Sequence, residues 1–392
     1  MPYRFGKPMR MRYIYLACPW SPVGGGMFKV ADYLIQCQSM QPHAYAAQLR
    51  PLDTRGAGSA LFSLWVLLTA LARIVHGRLD GGLAGVHVNM AERMSLFRKG
   101  VLIAACRALG IPVVLHLHAQ MHRYYETLPA ALQAPTRWVF SLAKAVVVIG
   151  PTGRRFVSEV LHVPAERVSI IINGVPEPIE PPDPRRPGNR RHVLFVGNLS
   201  KRKGVLELLQ ALARPEIDAS LLQVTIVGGG DVTGYRAKAR ELRVDGFVRF
   251  EGWCDQDEVD RLLARSDMLV LPSYDEVLPL AILEALARRV AVVTTAVGEI
   301  PSLLTDGVDA VFVQPGDPAS IAAGMQKVLQ EPGLMQALAR NGRALYERRF
   351  CLSTFFSDVA NVHFRNFGIA GCFIDMDSTA QDSGEDLMTL AS

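Results

Sequence analysis

The chain has 392 residues, room for two to three domains of ordinary size, and its 49% apolar and 20% charged content describes a globular protein with an ample core. Its six cysteines (Cys18, Cys37, Cys106, Cys254, Cys351, Cys372) form no CxxC or Cys/His cluster. That excludes a zinc ribbon or a disulfide framework and fits a reducing, cytoplasmic compartment.

The net charge of +5 is unevenly spread: residues 1–180 hold 19 Lys/Arg against 9 Asp/Glu, and residues 181–392 hold 23 against 28. A basic half suits an anionic membrane surface or a phosphorylated substrate. With no zinc finger or RRM-type aromatic motif, nucleic acid is not expected as a partner.

The basic opening leads into Tyr13–Cys18, too short for the apolar region of a signal peptide and better read as a first buried strand. Gly24-Gly25-Gly26 follows it. Ala60–Ala72 is uncharged and apolar, then Arg73, His76 and Arg78 follow. Thirteen to seventeen such residues fall short of the ~20 that cross a bilayer. Two readings stay open: a buried or half-buried helix of the first domain, or an interfacial helix with basic flanks. Further strands are expected at Gly85–Val88, Val113–Leu117, Ala145–Ile149 and Val168–Ile171. His118 follows Val113–Leu117, with His116 assigned to the other face of that strand. Six prolines between Pro176 and Pro187 then hold the chain extended and mark a linker.

Beyond the linker, strands are expected at Val193–Val196, Gln223–Val227, Val248–Phe250, Met268–Leu271 and Ala291–Thr294. On both sides of the linker, near-continuous Val/Ile/Leu strands alternate with helical patterns, which predicts parallel sheets covered on both faces. The fold class is therefore α/β, two tandem Rossmann-like, doubly wound domains facing across a cleft. The first spans residues 1–175, the linker 176–188 and the second 189–351. A helix near 352–368 returns to the first domain. Residues 369–392 form an acidic tail, expected to be disordered. Ligands of such sheets bind at the carboxyl ends of the strands.

The stretch Ser273–Ala287 carries the most chemistry. Pro279 suits the first turn of a helix, Glu284 lies inside it among apolar residues, and Glu276 lies in the loop before it. If both were helical, the two glutamates would stand about 12 Å apart along the axis, too far for the roughly 5 Å carboxylate pair of a retaining glycosidase. Contact with different parts of one ligand spanning the helix start fits better. The N–H groups of Leu278 and Leu280 would then face its anionic middle. A carboxylate buried at Glu284 also needs a donor, either ribose hydroxyls or a salt bridge.

Glu276…Glu284 resembles the E-x7-E motif of the retaining family 4 glycosyltransferases of the GT-B fold. Phe195–Gly204 is similar to their F-V-G-R-L-x-x-x-K-G loop. Val227–Gly230, Val248–Trp253, Gly298–Pro301 and Asp306-Gly307 follow in the family's order, as do Gly24–Gly26, His118 and Ile172–Val175 before them. The resemblance covers about residues 13–365. It implies that Lys203 binds the donor diphosphate, Glu284 the ribose and Glu276 a sugar hydroxyl. His118 would lie at the reaction centre, with Gly25 and Gly26 opening the diphosphate to backbone amides. From the residues alone, the glycines also fit an ordinary turn, His118 a structural histidine and Lys203 an exposed lysine.

There are two departures from the pattern. Asn198 stands where the family has Arg, with Lys201 or Arg202 as substitutes for the lost phosphate contact. Ala287–Val292 loses a turn Gly at Arg289, a position where φ > 0 would cost about 1 kcal/mol. The activity implied is retaining transfer of a hexose from a UDP-, GDP- or ADP-sugar to a saccharide or lipid-linked saccharide, in surface or exopolysaccharide synthesis. It needs no metal or other cofactor. The alternative is a non-catalytic GT-B scaffold that binds nucleotide sugar.

Overall fold

The computed structural model of the chain describes residues 12–20, 25–40, 47–178 and 190–369. Most of the expected linker, all but the first residue of the acidic tail, and Gly24 lie outside the described residues. The first unit runs β1 (Arg12–Cys18), α1 (Gly26–Met40), β2 (Ala47–Asp53), α2 (Ala60–Leu79), β3 (Leu83–Met90), α3 (Met94–Ala108), β4 (Val113–Leu117), α4 (Met121–Glu126), α5 (Ala130–Leu142), β5 (Ala145–Val148), α6 (Pro151–Arg155) and β6 (Val168–Ile170). The second runs β7 (Arg191–Val196), α7 (Val205–Leu212), β8 (Leu222–Val227), α8 (Val232–Glu241), β9 (Val248–Gly252), α9 (Gln256–Ala264), β10 (Met268–Leu271), α10 (Leu280–Ala287), β11 (Ala291–Thr295), α11 (Ile300–Leu303) and β12 (Val311–Val313). Then come α12 (Pro318–Gln330), α13 (Leu334–Arg349) and α14 (Leu352–Phe367).

Each unit holds one six-stranded parallel sheet, ordered β2-β1-β3-β4-β5-β6 and β12-β11-β10-β7-β8-β9. The direction of winding reverses between β1 and β3 in the first sheet and between β7 and β10 in the second. Those are the crevices where a doubly wound sheet takes its ligand. The ten expected strands are present. Two edge strands were not expected: β2 carries Arg50 and Pro51 and shows its side chains alternately to solvent, and β12 has three residues. Edge strands lack the continuous apolar run by which central parallel strands are recognised.

The chain crosses between the units at Val175 and again at Cys351, and the two crossings bond to each other. Val175 N donates to Phe350 O at 3.0 Å, and the Tyr346 hydroxyl donates to Val175 O at 3.1 Å. Beyond the second crossing α14 packs on the first sheet. There Phe367 lies so close to Gly85 that a Cβ at that position would stand 2.7 Å from its Cγ. Lys144 Nζ donates to Asn366 O at 2.8 Å.

After α10, Arg289 adopts φ +58°. This is the left-handed turn that the missing glycine would have eased. Since Arg289 is exposed, Arg289→Gly should stabilise the chain by about 1 kcal/mol, read as a raised urea midpoint with unchanged m-value. A lower midpoint would mean that the Arg289 side chain contributes more than its backbone strain removes.

Candidate active site

In the second unit the loop after β7 folds against the loop after β10. A 3-10 turn, Lys201–Lys203, ends at Gly204 with φ +69°, and any Cβ there would collide with the Pro272 carbonyl. Only glycine lets the two loops meet this closely. The Lys203 stem runs past Gly197, where a Cβ would come within 3.3 Å of its Cε. Its ammonium reaches the Glu276 carboxylate. Arg202 stands 3.4 Å from the same oxygen and donates to Asp275 O at 2.6 Å. Both cations meet Glu276 as charges, without the alignment of a hydrogen bond. Lys203 is buried, not the exposed lysine its sequence also allows. Asn198 is exposed, with its amide oxygen against Gly229 and Gly230.

Helix α10 begins at Leu280, with Pro279 just outside it as the cap rather than within the first turn, and Leu278 and Leu280 are both buried. Directly opposite, α1 begins at Gly26, whose Cβ position lies 3.8 Å from Leu280 Cδ1; Gly25 has open space around it. Two helix N-termini therefore face each other across the cleft, each the positive end of a dipole.

From α1, Lys29 and Tyr33 project one turn apart toward Glu284. The Lys29 ammonium pairs with Oε1, the Tyr33 hydroxyl donates to it at 3.3 Å, and Gln256 Nε2 approaches at 3.5 Å. The donors that a buried carboxylate requires thus come largely from the opposite unit. Two more contacts cross the cleft. Gln120 Nε2 donates to the Glu276 carbonyl, and the buried Glu299 carboxylate accepts from Gly153 N at 2.8 Å and Thr152 N at 3.3 Å.

His118 follows β4 at the carboxyl side of the first sheet, half-buried. A carbonyl oxygen only accepts, so the 2.7 Å contact to Asn89 Oδ1 places the proton on Nε2 and leaves Nδ1 as an acceptor. Burial, His87 and Lys99 push its pKa down to about 3, so at neutral pH the ring is a neutral hydrogen-bond partner. His116 does not point to the other face. Residues two apart on a strand share a face, and its ring lies 4.0 Å from that of His118. Through His116 the chain of imidazoles continues inward: His116 Nδ1 to His87 Nε2 at 3.3 Å, then His87 Nδ1 to His363 Nε2 of α14 at 2.7 Å.

Burial holds His87 at about 3 and keeps His116 and His363 well below the usual 6.5. The unfolded chain takes up protons near 6.5 that the folded chain refuses. The stability these neutral rings allow is therefore complete above that pH and falls as pH drops, by at most about 1.4 kcal/mol per unit for each ring. Unfolding free energy in urea should drop by several kcal/mol between pH 7.5 and 5.5; an equal value at both would mean that the folded rings take up protons as the unfolded ones do.

The structure thus brings Gly26, Leu278, Leu280, Lys203, Glu276 and Glu284 to one cleft, with Gly25 beside them; His118 stands at the carboxyl side of the first sheet, and exposed Asn198 lies against Gly229 and Gly230. Sequence reasoning missed Lys29, Tyr33, Gln120 and Gln256, and met Glu299 only as part of the Gly298–Pro301 motif, without a role. Lys29 and Tyr33 were within reach, because they sit at i, i+4 just after the glycines and Glu284 needed donors.

Two doubly wound sheets that oppose their carboxyl edges across such a cleft make the GT-B architecture of glycosyltransferases. The comparisons agree. Residues 177–345 match the family model described as glycosyl transferases group 1, and residues 60–177 match glycosyltransferase family 4. Together the two matches run from residue 60 to residue 345, so the likeness to glycosyltransferases extends across both units. Glycogen synthase of Mycobacterium tuberculosis is 29% identical over 268 residues, covering 67% of this chain and 65% of that protein. Among solved structures, sucrose-phosphate synthase from Thermosynechococcus elongatus superposes with a TM-score of 0.76 at 18% identity, covering 90% of this chain and 98% of that one. Anabaena HepE in complex with UDP gives 0.70 at 18% identity, covering 90% and 99%.

Proposed function

We propose that the protein is a retaining hexosyltransferase that moves a hexose from a nucleotide-diphosphate sugar to a hydroxyl of a lipid-linked saccharide, in surface or exopolysaccharide synthesis at the inner face of the cytoplasmic membrane. One observation carries the donor assignment: the N-termini of α1 and α10 face each other, flanked by the buried pair Lys203–Glu276 and by half-buried Lys29 on the buried Glu284. An anion between two helix starts, with a cation on one side and hydroxyl-accepting carboxylates on the other, has the chemistry of a diphosphate joined to ribose and sugar. HepE, of the same fold, holds UDP.

In this reading the diphosphate lies between the Gly25–Gly26 and Leu278–Leu280 amides, with Lys203 exchanging Glu276 for a phosphate oxygen and Arg202 supplying the charge that Asn198 lacks. Glu284 takes the ribose and Glu276 a sugar hydroxyl. His118 accepts a sugar hydroxyl at Nδ1. The acceptor hydroxyl attacks the anomeric carbon on the face from which the diphosphate departs. The C–O bond to phosphate breaks as the new one forms, and the departing phosphate takes the acceptor proton. Fixed amides and lysines stabilise the charge that develops, which is the larger share of such catalysis; no metal is required.

The membrane assignment rests on α2. It runs through Arg73 to twenty residues, longer than its apolar stretch predicted and long and apolar enough by composition alone to cross a bilayer. Yet Val66, Leu67, Ala70 and Ile74 are buried against the first unit, while Leu61, Leu64, Trp65 and Leu68 are exposed. A helix packed on one side with an apolar outer face and basic neighbours lies in the interface.

Thermal-shift and calorimetric titration with UDP, GDP, ADP and their sugar conjugates tests the donor reading: one nucleotide class should bind, and binding of none by the folded protein would overturn it. Vesicle flotation tests the other. Trp65→Asp with Leu68→Asp should cut binding to anionic vesicles at least tenfold, and unchanged flotation would refute the interfacial role.

A further inference from the structure

Resting on that reading of the first unit as the acceptor side, a second group of cations stands out at the crevice between β1 and β3. Lys99, on α3, is wholly buried, and no carboxylate pairs with it among the described residues. Its ammonium reaches Ser95 Oγ at 3.0 Å and Met27 Sδ at 3.5 Å. One oxygen and one weak sulfur acceptor leave a donor unused. Ser95 Oγ accepts from both Lys99 and Ala91 N (3.2 Å), so its own hydrogen is free to point elsewhere.

Beside it, Arg98 Nε is buried without a partner, as is Thr54 Oγ1 just past the end of β2. Burial and Arg55 disfavour the charge on Arg98 while Asp53 favours it, and burial and Arg98 disfavour the charge on Lys99 while Cys18 favours it. The nearby Asp53 carboxylate is already committed to the amides of Trp20 (3.2 Å), Arg55 (2.9 Å) and Gly56 (3.1 Å).

In the second unit the lysine at the equivalent crevice, Lys203, has Glu276 as its anion. In the first, Lys99 has no carboxylate paired with it among the described residues, and the one carboxylate acting on Arg98, Asp53, is taken up by backbone amides. Burial pushes Lys99 down to about 7, the cost of leaving such a charge unmatched. The near wall is the half-buried Met27, a flexible side chain next to exposed Gly26.

We propose that Lys99, Arg98, Ser95 and Thr54 form a phosphate site in the first unit that holds a phosphate ester of the acceptor, separate from the donor diphosphate site. Several donors and two cations match a tetrahedral dianion better than a carboxylate. The site also adjoins the apolar face of α2, because Phe62 packs over Gly56 and Phe97 stands exposed next to Arg98.

The test is calorimetry on the full chain saturated with UDP, so that the donor site is filled. Inorganic phosphate should bind at one further site, and Lys99→Met, which keeps the stem and loses the charge, should weaken it at least tenfold while UDP affinity stays within twofold. Arg98→Gln should weaken it as well and serves if Lys99→Met fails to fold. Tighter binding of dodecyl phosphate than of glucose 1-phosphate identifies a lipid phosphate, and the reverse a free sugar phosphate; either supports the site. No phosphate binding to the UDP-loaded protein, or equal binding by wild type and both variants, overturns it with the donor reading intact. If UDP itself does not bind, the donor reading fails, and the same phosphate titration without UDP decides this one.

Discussion

Glu284→Gln is expected to weaken nucleotide-sugar binding at least a hundredfold while leaving the protein folded. The side chain sits in a helix whose every other residue is apolar and buried, so its charge must be matched by donors. In the proposed complex two ribose hydroxyls supply them. Hydrogen bonds to a charged acceptor contribute about 1.5–3 kcal/mol each; two lost together give 10²-fold or more. Glutamine keeps the shape but offers one carbonyl in place of a carboxylate.

In the structure, Lys29 and Tyr33 of α1 occupy the same oxygen. A purely structural reading makes Glu284 a strut between the units. The two readings part on Lys29→Ala. As a strut, the pair should lose similar stability from either side and nucleotide affinity should not change. As a ribose site relieved of a competing cation, Lys29→Ala should bind donor as well as or better than wild type, while Glu284→Gln binds poorly. Calorimetry with the nucleotide identified in the donor screen separates them. Unchanged affinity in Glu284→Gln would remove the ribose role.

The architecture was legible because parallel strands covered on both faces write themselves as unbroken Val/Ile runs, and a proline-rich segment divides the two sets. What escaped was written in other ways. β2 and β12 are edge strands, short or interrupted by Arg50 and Pro51, with no apolar run to find. α2 was cut short at Arg73 because charge was read as an end, whereas one arginine on the solvent side of a half-buried helix ends nothing. Residues on local motifs, such as Lys203, Glu276 and Glu284, could be assigned from their own segment. Lys29, Gln120 and Glu299 act on partners more than 140 residues away, and only the facing of the two units brings them together. The placement of His116 was a plain error of period: two residues along a strand return to the same face.

The second large effect is expected from Gly298→Ala, which should abolish donor binding and cost about 2–4 kcal/mol of stability. Gly298 has φ +63°, where a Cβ alone costs roughly 1–2 kcal/mol. The added methyl would also land on the Glu276 carbonyl and the Gln120 amide, and 2.8 Å from the Val277 carbonyl. The Gln120 side chain can swing away, but the two carbonyls cannot yield cheaply. The Glu276 carbonyl accepts from Gln120 across the cleft, and the Val277 carbonyl accepts from Glu299 N at 2.9 Å. Relief must therefore come by moving the 276–278 loop, which carries Glu276 and leads into the Leu280 helix start, and by loosening Glu299 from the Gly153 amide.

Gly307→Ala is the matched control. Its φ is +72°, but nothing lies within 4 Å of the added Cβ, so it should lose only about 1 kcal/mol and bind nucleotide as wild type does. If both variants lose the same stability and both still bind, backbone strain is the whole effect and the 276–278 loop is not held where the donor needs it. If Gly298→Ala alone loses binding while its far-ultraviolet spectrum stays native, the contact of Gly298 with this loop is what sets Glu276 and the start of α10 against the opposite unit.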